Sequence, residues 1–413
     1  MACLHNAIIA STAALSGDEE INHGDTEDTK EFIAQRTQSR CFRGRFSGSV
    51  GAFQFSSVPS VSPWFFFRDR LYRRRRVGYT RRDHAKGAYQ MNKIERVRAV
   101  LRGEAVDRVP AGFWFHFDPE FAGGEAMARR HLTYYRAADP DIMKVMNDTG
   151  YAPIGTLQVR APGDWRRLEP TPLSDPLFQS HLDGLKRIVD AIGDEVLVMT
   201  TCFNPFHEAV AVIRASDPRA QGGEVHARDV LLEQLRSDPE PVLGALQVMA
   251  EDQARFYRAC ITEASAHGIY FSAQGGERDL MTDEEHARFF KPYDLHVLNA
   301  LSGVAEFVVG HFCGKGVNLE RFRDYPVQMA NWAHQSGNLS LTEGRQLFGG
   351  IAILGGLDER GPLVYGPREA LRAEVQAALD AMGDRGFMLG AGCTVPSDID
   401  VANLVYARSL LAR

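Results

Sequence analysis

His311 and Cys313 stand two residues apart at the end of the apolar run Glu306-Phe-Val-Val-Gly-His-Phe-Cys313. Cys393 ends a similar run, Gly386-Phe-Met-Leu-Gly-Ala-Gly-Cys393. Side chains alternate along an extended strand, so residues two apart face the same side. His311 and Cys313 then share one space, which Cys393 reaches from a second strand end. One imidazole and two thiolates make a three-ligand zinc set, and catalytic zinc sites typically keep three protein ligands and one open position. The competing reading is a core histidine beside an inert buried cysteine. Cys393 favours ligation, because Gly390, Gly392 and Pro396 surround it with turn residues, as Gly314 and Gly316 follow Cys313.

A ligand set of this kind needs a frame that brings distant segments together. Eight apolar runs read as strands: 109–116, 141–147, 195–201, 268–274, 306–312, 326–332, 350–356 and 386–391. Between them lie segments with apolar residues at three- and four-residue spacing, most clearly 92–103, 174–192, 240–266, 284–301, 367–383 and 398–411. Strand-helix alternation implies parallel strands joined by crossovers. Eight repeats predict an α/β fold, a closed (β/α)8 TIM barrel, whose active site lies at the C-terminal ends of the strands. The runner-up, an open doubly wound sheet, lacks its usual glycine-rich phosphate turn after the first strand.

The expected strand ends carry His116 with Asp118, Asn147 with Asp148, Thr201 with Cys202, Gln274 with Glu277, His311 with Cys313, Asn331 with Trp332, Asp358, and Cys393. Residues 202–240 read as a long loop after the third strand. Residues 1–90 are rich in Ser, Gly and Arg without a sustained period, which predicts a disordered or non-native N-terminal extension before a barrel domain over 91–413. Met91 makes a plausible native start, and the first residues lack the pattern of a secretory signal. Net charge is −6, with 44% hydrophobic and 24% charged residues, so electrostatics give no reason to expect nucleic acid. The six cysteines are too scattered for a secreted disulfide scaffold, and free thiols in a reducing cytoplasm are expected. No apolar stretch reaches the length of a membrane span.

From about Met91 onward the chain resembles the uroporphyrinogen decarboxylase superfamily, which includes the porphyrinogen decarboxylases and the zinc-dependent methylcobamide:thiol methyltransferases. The resemblance lies in Glu95-Arg-Val-Arg-Ala-Val-Leu-Arg-Gly-Glu-Ala-Val-Asp-Arg-Val-Pro110, and in Gln274 through Tyr293 with Phe289-Phe-Lys-Pro-Tyr293. Gly310-His-Phe-Cys-Gly314, Gly355-Gly-Leu-Asp358 and Gly392-Cys-Thr-Val-Pro396 follow in the family's order. A His-x-Cys pair and a distant Cys mark the methyltransferase branch as zinc ligands, which maps onto His311, Cys313 and Cys393. The decarboxylases carry an Arg-Gln-Ala-Gly-Arg segment at the first strand end. Here Phe113-Trp-Phe-His-Phe-Asp-Pro-Glu120 offers no positive charge for a polycarboxylate substrate.

The resemblance implies Zn²⁺ as cofactor, a small-molecule thiol as acceptor, and a methylated corrinoid as donor, carried on a separate protein. His116 and Asp118 are candidates to orient substrate, Gln274 to hydrogen-bond it, and Asp358 to brace a zinc-bound imidazole from behind; His116 reads equally as a partly buried histidine beside Trp114 and Phe117. Glu277 is either a fourth ligand or a solvated loop charge. Uroporphyrinogen decarboxylation and a non-catalytic corrinoid- or tetrapyrrole-binding barrel are the alternatives. Oligomeric state leaves no mark in the sequence.

Overall fold

The computed structural model describes residues 90–221 and 226–412. The extension expected over 1–90 therefore lies, apart from Gln90, outside the described residues. Eight parallel strands run in the order β1 (Ala111–Gly112), β8 (Phe387–Ala391), β7 (Ala352–Leu357), β6 (Met329–Asn331), β5 (Phe307–Phe312), β4 (Gly268–Ala273), β3 (Leu197–Phe203) and β2 (Ile142–Val145). Helices connect them, so the fold is the expected (β/α)8 barrel. Among the described residues, no helix is long and apolar enough to cross a membrane.

Alternation divides the core into two layers. Ile142, Met199, Tyr270, Phe307, Val309, Met329, Leu354 and Met388 fill the barrel's interior. Their strand neighbours Met143, Val198, Ile269, Val308 and Leu389 face the surrounding helices. Helix Lys93–Leu101 seals the N-terminal end with Val97 and Val100. Its start is set by a capping box, in which the Asn92 and Glu95 side chains each bind the other's backbone N–H.

The seam between β1 and β2 is closed by a carboxylate rather than a strand ladder. Asp141 N–H donates to Ala111 O at 2.8 Å, and Ala111 N–H donates back to Asp141 Oδ2 at 2.9 Å. The same carboxylate accepts from Arg96 Nη1 at 2.9 Å and from Arg108 Nη1 and Nη2 at 2.8 and 2.7 Å. Asp141 is fully buried, and Arg96 nearly so.

Two expectations are corrected. The first strand is two residues long, where a run to His116 was expected. Past Gly112 its backbone binds other groups: Tyr134 OH donates to Phe113 O, Val395 N–H to Trp114 O, and Phe117 N–H to Asp148 Oδ2. The long loop expected over 202–240 contains helices Pro205–Ser216 and Ala227–Ser237. Asn204 caps the first by accepting from His207 N–H, and Pro205 fits its first turn. Val212, Ile213, Val230, Leu231 and Leu235 are buried and hold both helices on the barrel.

Removing one member of a buried ion pair leaves the other charge uncompensated, at a cost of about 3–5 kcal/mol. Asp141→Ala is therefore expected to lower thermal stability by that order in a denaturant titration. An unchanged midpoint would show that the seam does not depend on this carboxylate.

Candidate metal centre

His311 is an interior residue of β5 because Phe307 and Val309 are, and the pairing register fixes its neighbours. His311 lies opposite Asn331 on β6 and opposite Ser272 on β4. Cys313 follows as β5 leaves the sheet, held by its N–H to Ala273 O at 2.9 Å. Cys393 lies just beyond β8, where Gly392 N–H bonds Leu357 O. A Cβ on Gly392 would meet Ala333 Cα at 2.5 Å, so only glycine lets this turn press against the β6 loop. Gly314 has φ +136°, and a Cβ there would press on the Glu277 carboxyl.

The three expected ligands converge. The ligand atoms of His311, Cys313 and Cys393 all lie within 4.8 Å of one another. Cys393 Sγ is 4.0 Å from Cys313 Sγ and 3.5 Å from His311 Nε2. Tetrahedral zinc with ordinary bond lengths needs about 3.8 Å between two sulfurs and about 3.6 Å between sulfur and nitrogen. The residues present therefore fit the ion in donor type, and the two spacings made by Cys393 are close to those it needs.

Hydrogen bonds also fix the imidazole's tautomer. Asn331 Nδ2 donates to Leu354 O at 2.8 Å and Ala391 O at 3.1 Å, so Oδ1 is the atom turned to His311. Oδ1 lies 2.7 Å from His311 Nδ1 and accepts the Tyr270 hydroxyl at 2.7 Å. An acceptor at that distance requires Nδ1–H, which leaves the Nε2 lone pair facing the cysteines. Tyr270 also stacks on the imidazole, with centroids 5.3 Å apart and planes at 22°. Its other neighbour is Trp114, edge-on at 5.1 Å.

The two thiols lie 4.0 Å apart, within reach of a sulfur–sulfur hydrogen bond. The hydrogen bond from Cys313 holds Cys393 well below the usual thiol range. That same bond, with burial, pushes Cys313 well above it.

The other expected residues are placed differently. His116 is half-buried at the mouth, and its Nδ1 partner is Asp148 Oδ1 at 2.5 Å rather than the neighbouring Asp118, which is exposed. Asp148 sits in a buried setting that opposes ionisation, yet His116 and Phe117 N–H hold it below the usual carboxylate range. Gln274 is half-buried, and its backbone carbonyl accepts from Asn204 Nδ2 at 3.1 Å. Asp358 is not the brace on His311; Asn331 occupies that place. Asp358 Oδ1 instead accepts Arg360 N–H at 2.8 Å, and its own N–H donates to Glu374 Oε1. Glu277 is not a solvated charge: it is largely buried, 3.3 Å from Arg228 Nη1, and burial pushes its carboxyl up.

Asn331 and Asp148 were expected only as strand-end residues without a partner, and Tyr270 and Lys144 had no expected role. Lys144 is the residue that periodicity should have flagged, because a lysine between Met143 and Val145 lies on the inner face with Ile142 and Met146.

A side chain that orients a metal-bound histidine is worth about 10–100-fold in metal affinity. Asn331→Ala is expected to weaken zinc binding by that factor in a chelator competition. Affinity equal to the parent's would remove Asn331 from the account.

Residues 143–409 match the family model described as "Uroporphyrinogen decarboxylase (URO-D)". A search among curated proteins gives no match. Among solved structures the chain is similar to a methyltransferase from Methanosarcina mazei, with TM-score 0.59 and 18% identity over 78% of this chain and 98% of that one. It is also similar to a B12-independent methionine synthase from Shewanella sp. W3-18-1, with TM-score 0.48 and 12% identity over 74% and 97%. At 18% identity the first likeness shows a shared fold.

Proposed function

The chain belongs to the uroporphyrinogen decarboxylase (URO-D) family, and we propose that within it this protein is a zinc-dependent methyltransferase acting on a thiol. The observation that carries the reading is the meeting of one imidazole nitrogen and two sulfurs within 4.8 Å at the C-terminal mouth of the barrel. The donor we assign is a methylated corrinoid presented by a separate protein, and the acceptor a small-molecule thiol. The name of the Methanosarcina mazei structure agrees with methyl transfer.

Zinc held by His311, Cys313 and Cys393 would supply Lewis-acid activation of a thiol, which is otherwise only weakly ionised at neutral pH. The chain's own residues set the conditions for it. Asn331 holds His311 with its proton on Nδ1 and its lone pair toward the sulfurs. Tyr270 and Trp114 form an aromatic floor that keeps water from beneath the site. His116, whose Nδ1 is bonded to Asp148, turns Nε2 to the mouth for a hydrogen bond with substrate. Asp118 and Gln274, on the same rim, complete the proposed substrate contacts.

Decarboxylation of a polycarboxylate asks for a cationic lining. The first strand end here presents the His116–Asp148 pair instead, which supports the transferase reading. The four described cysteines are free, which fits a reducing, cytoplasmic setting.

Metal analysis and turnover test this together. The purified protein is expected to hold close to one zinc per chain, and to transfer methyl from methylcobalamin to an added thiol. Cys313→Ala and Cys393→Ala are each expected to lose the metal and to lower the transfer rate at least about a hundredfold. Metal-free protein that decarboxylates uroporphyrinogen would replace this reading with the family's other chemistry.

A further inference from the structure

Lys144 is a lysine inside a barrel. It is 4% exposed, and among the described residues no carboxylate pairs with it. Its Nζ lies 3.1 Å from Met146 Sδ, 4.2 Å from the centre of the Tyr270 ring and 5.1 Å from that of Trp114. A buried ammonium in such surroundings needs an anion or gives up its proton. Burial pushes Lys144 down to about 7, against the opposing pull of Cys393, Asp148 and Cys313. The other titratable neighbours do not supply the missing charge. Tyr270 stays a neutral phenol because burial pushes it well above its usual range. His131 on the outer side is buried and pushed down to about 4, and its Nε2 accepts Met146 N–H at 3.1 Å. Asp148 is already paired with His116.

Tyr270 ties this lysine to the ligand set. One ring stacks on His311, hydrogen-bonds Asn331 and lies under the Lys144 amine. On the zinc-thiol reading, on which this inference rests, the ion and two cysteine thiolates together carry no net charge. An added thiolate brings one negative charge into a partly buried site, where an uncompensated charge is costly. The thiol's proton must also go somewhere.

We propose that Lys144 is the proton acceptor and counter-cation of the centre, neutral while the fourth position is open and an ammonium once the substrate thiol has bound as thiolate. The S–H bond of the thiol breaks and its electron pair stays on sulfur. The proton ends on Lys144 Nζ, and nothing is oxidised or reduced. Lys144 is thus a positioning residue for charge, acting on the ligand set across Tyr270.

Proton release on thiol binding tests this without reference to turnover. Cobalt(II)-substituted protein at pH 8 would be titrated with 2-mercaptoethanol, following thiolate coordination by charge-transfer absorption and released protons with an indicator dye. The parent protein is expected to release fewer than about 0.5 proton per thiol bound, since the lysine retains the rest. Lys144→Met is expected to release close to one proton and to bind the thiol at least about tenfold more weakly. Lys144→Arg keeps a permanent charge but cannot take a proton. It is expected to release close to one proton with affinity near the parent's, and it serves where the methionine variant does not fold. Equal proton release and affinity in parent and variants would overturn the role of Lys144 and leave the zinc-thiol reading standing. Cobalt-loaded parent protein that coordinates no thiol would overturn that reading and this inference with it.

Discussion

The carboxamide of Asn331 is the constraint from which the rest of the site follows. Its nitrogen is committed to two strand carbonyls, Leu354 O and Ala391 O, so its oxygen has one direction left. That oxygen holds a proton on His311 Nδ1 and accepts the hydroxyl of Tyr270. Through it the barrel's hydrogen-bonded frame dictates a tautomer, a ring orientation and an aromatic floor. Three strands, β6, β7 and the end of β8, must keep their register for the imidazole to face two sulfurs. A metal site is positioned by such partners as much as by its ligands.

The frame itself depends on charges at the opposite end. Asp141 closes the β1–β2 seam while compensating Arg96 and Arg108, at the N-terminal face where barrels concentrate stability. A surface cavity of about 450 Å³ lies there, lined by Lys93, Arg96, Arg108, Tyr135 and Arg408, and it holds none of the ligand set. The molecule thus separates its polar investments. Paired ions hold the base together, and incompletely paired groups, Lys144 and the two thiols, sit near the mouth where the proposed ion and substrate would complete them.

What could be read in the sequence was what local pattern encodes. The eight strands announced themselves as apolar runs between helical periods, and alternation alone put His311 and Cys313 on one side. Pairing between distant segments was not legible. Nothing near residue 311 says that residue 331 stands beside it, so the brace was sought at Asp358, one strand too far. Asp148 stood among the strand-end residues without a partner, because His116 is 32 positions away. Helices Pro205–Ser216 and Ala227–Ser237 were taken for loop, although Asn204-Pro205 is a good helix start. Lys144 was passed over because a charge inside an apolar run reads as an interruption, whereas its register makes it an interior group.

The proposed zinc ion would be held by His311, Cys313 and Cys393 together, with one position to spare. X-ray absorption at the zinc edge of the purified protein tests it most directly. The account predicts two sulfurs at about 2.3 Å, one imidazole nitrogen at about 2.0 Å, and a light fourth ligand that gives way to a third sulfur when a thiol is added. A first shell without sulfur, or one that a thiol leaves unchanged, would contradict it.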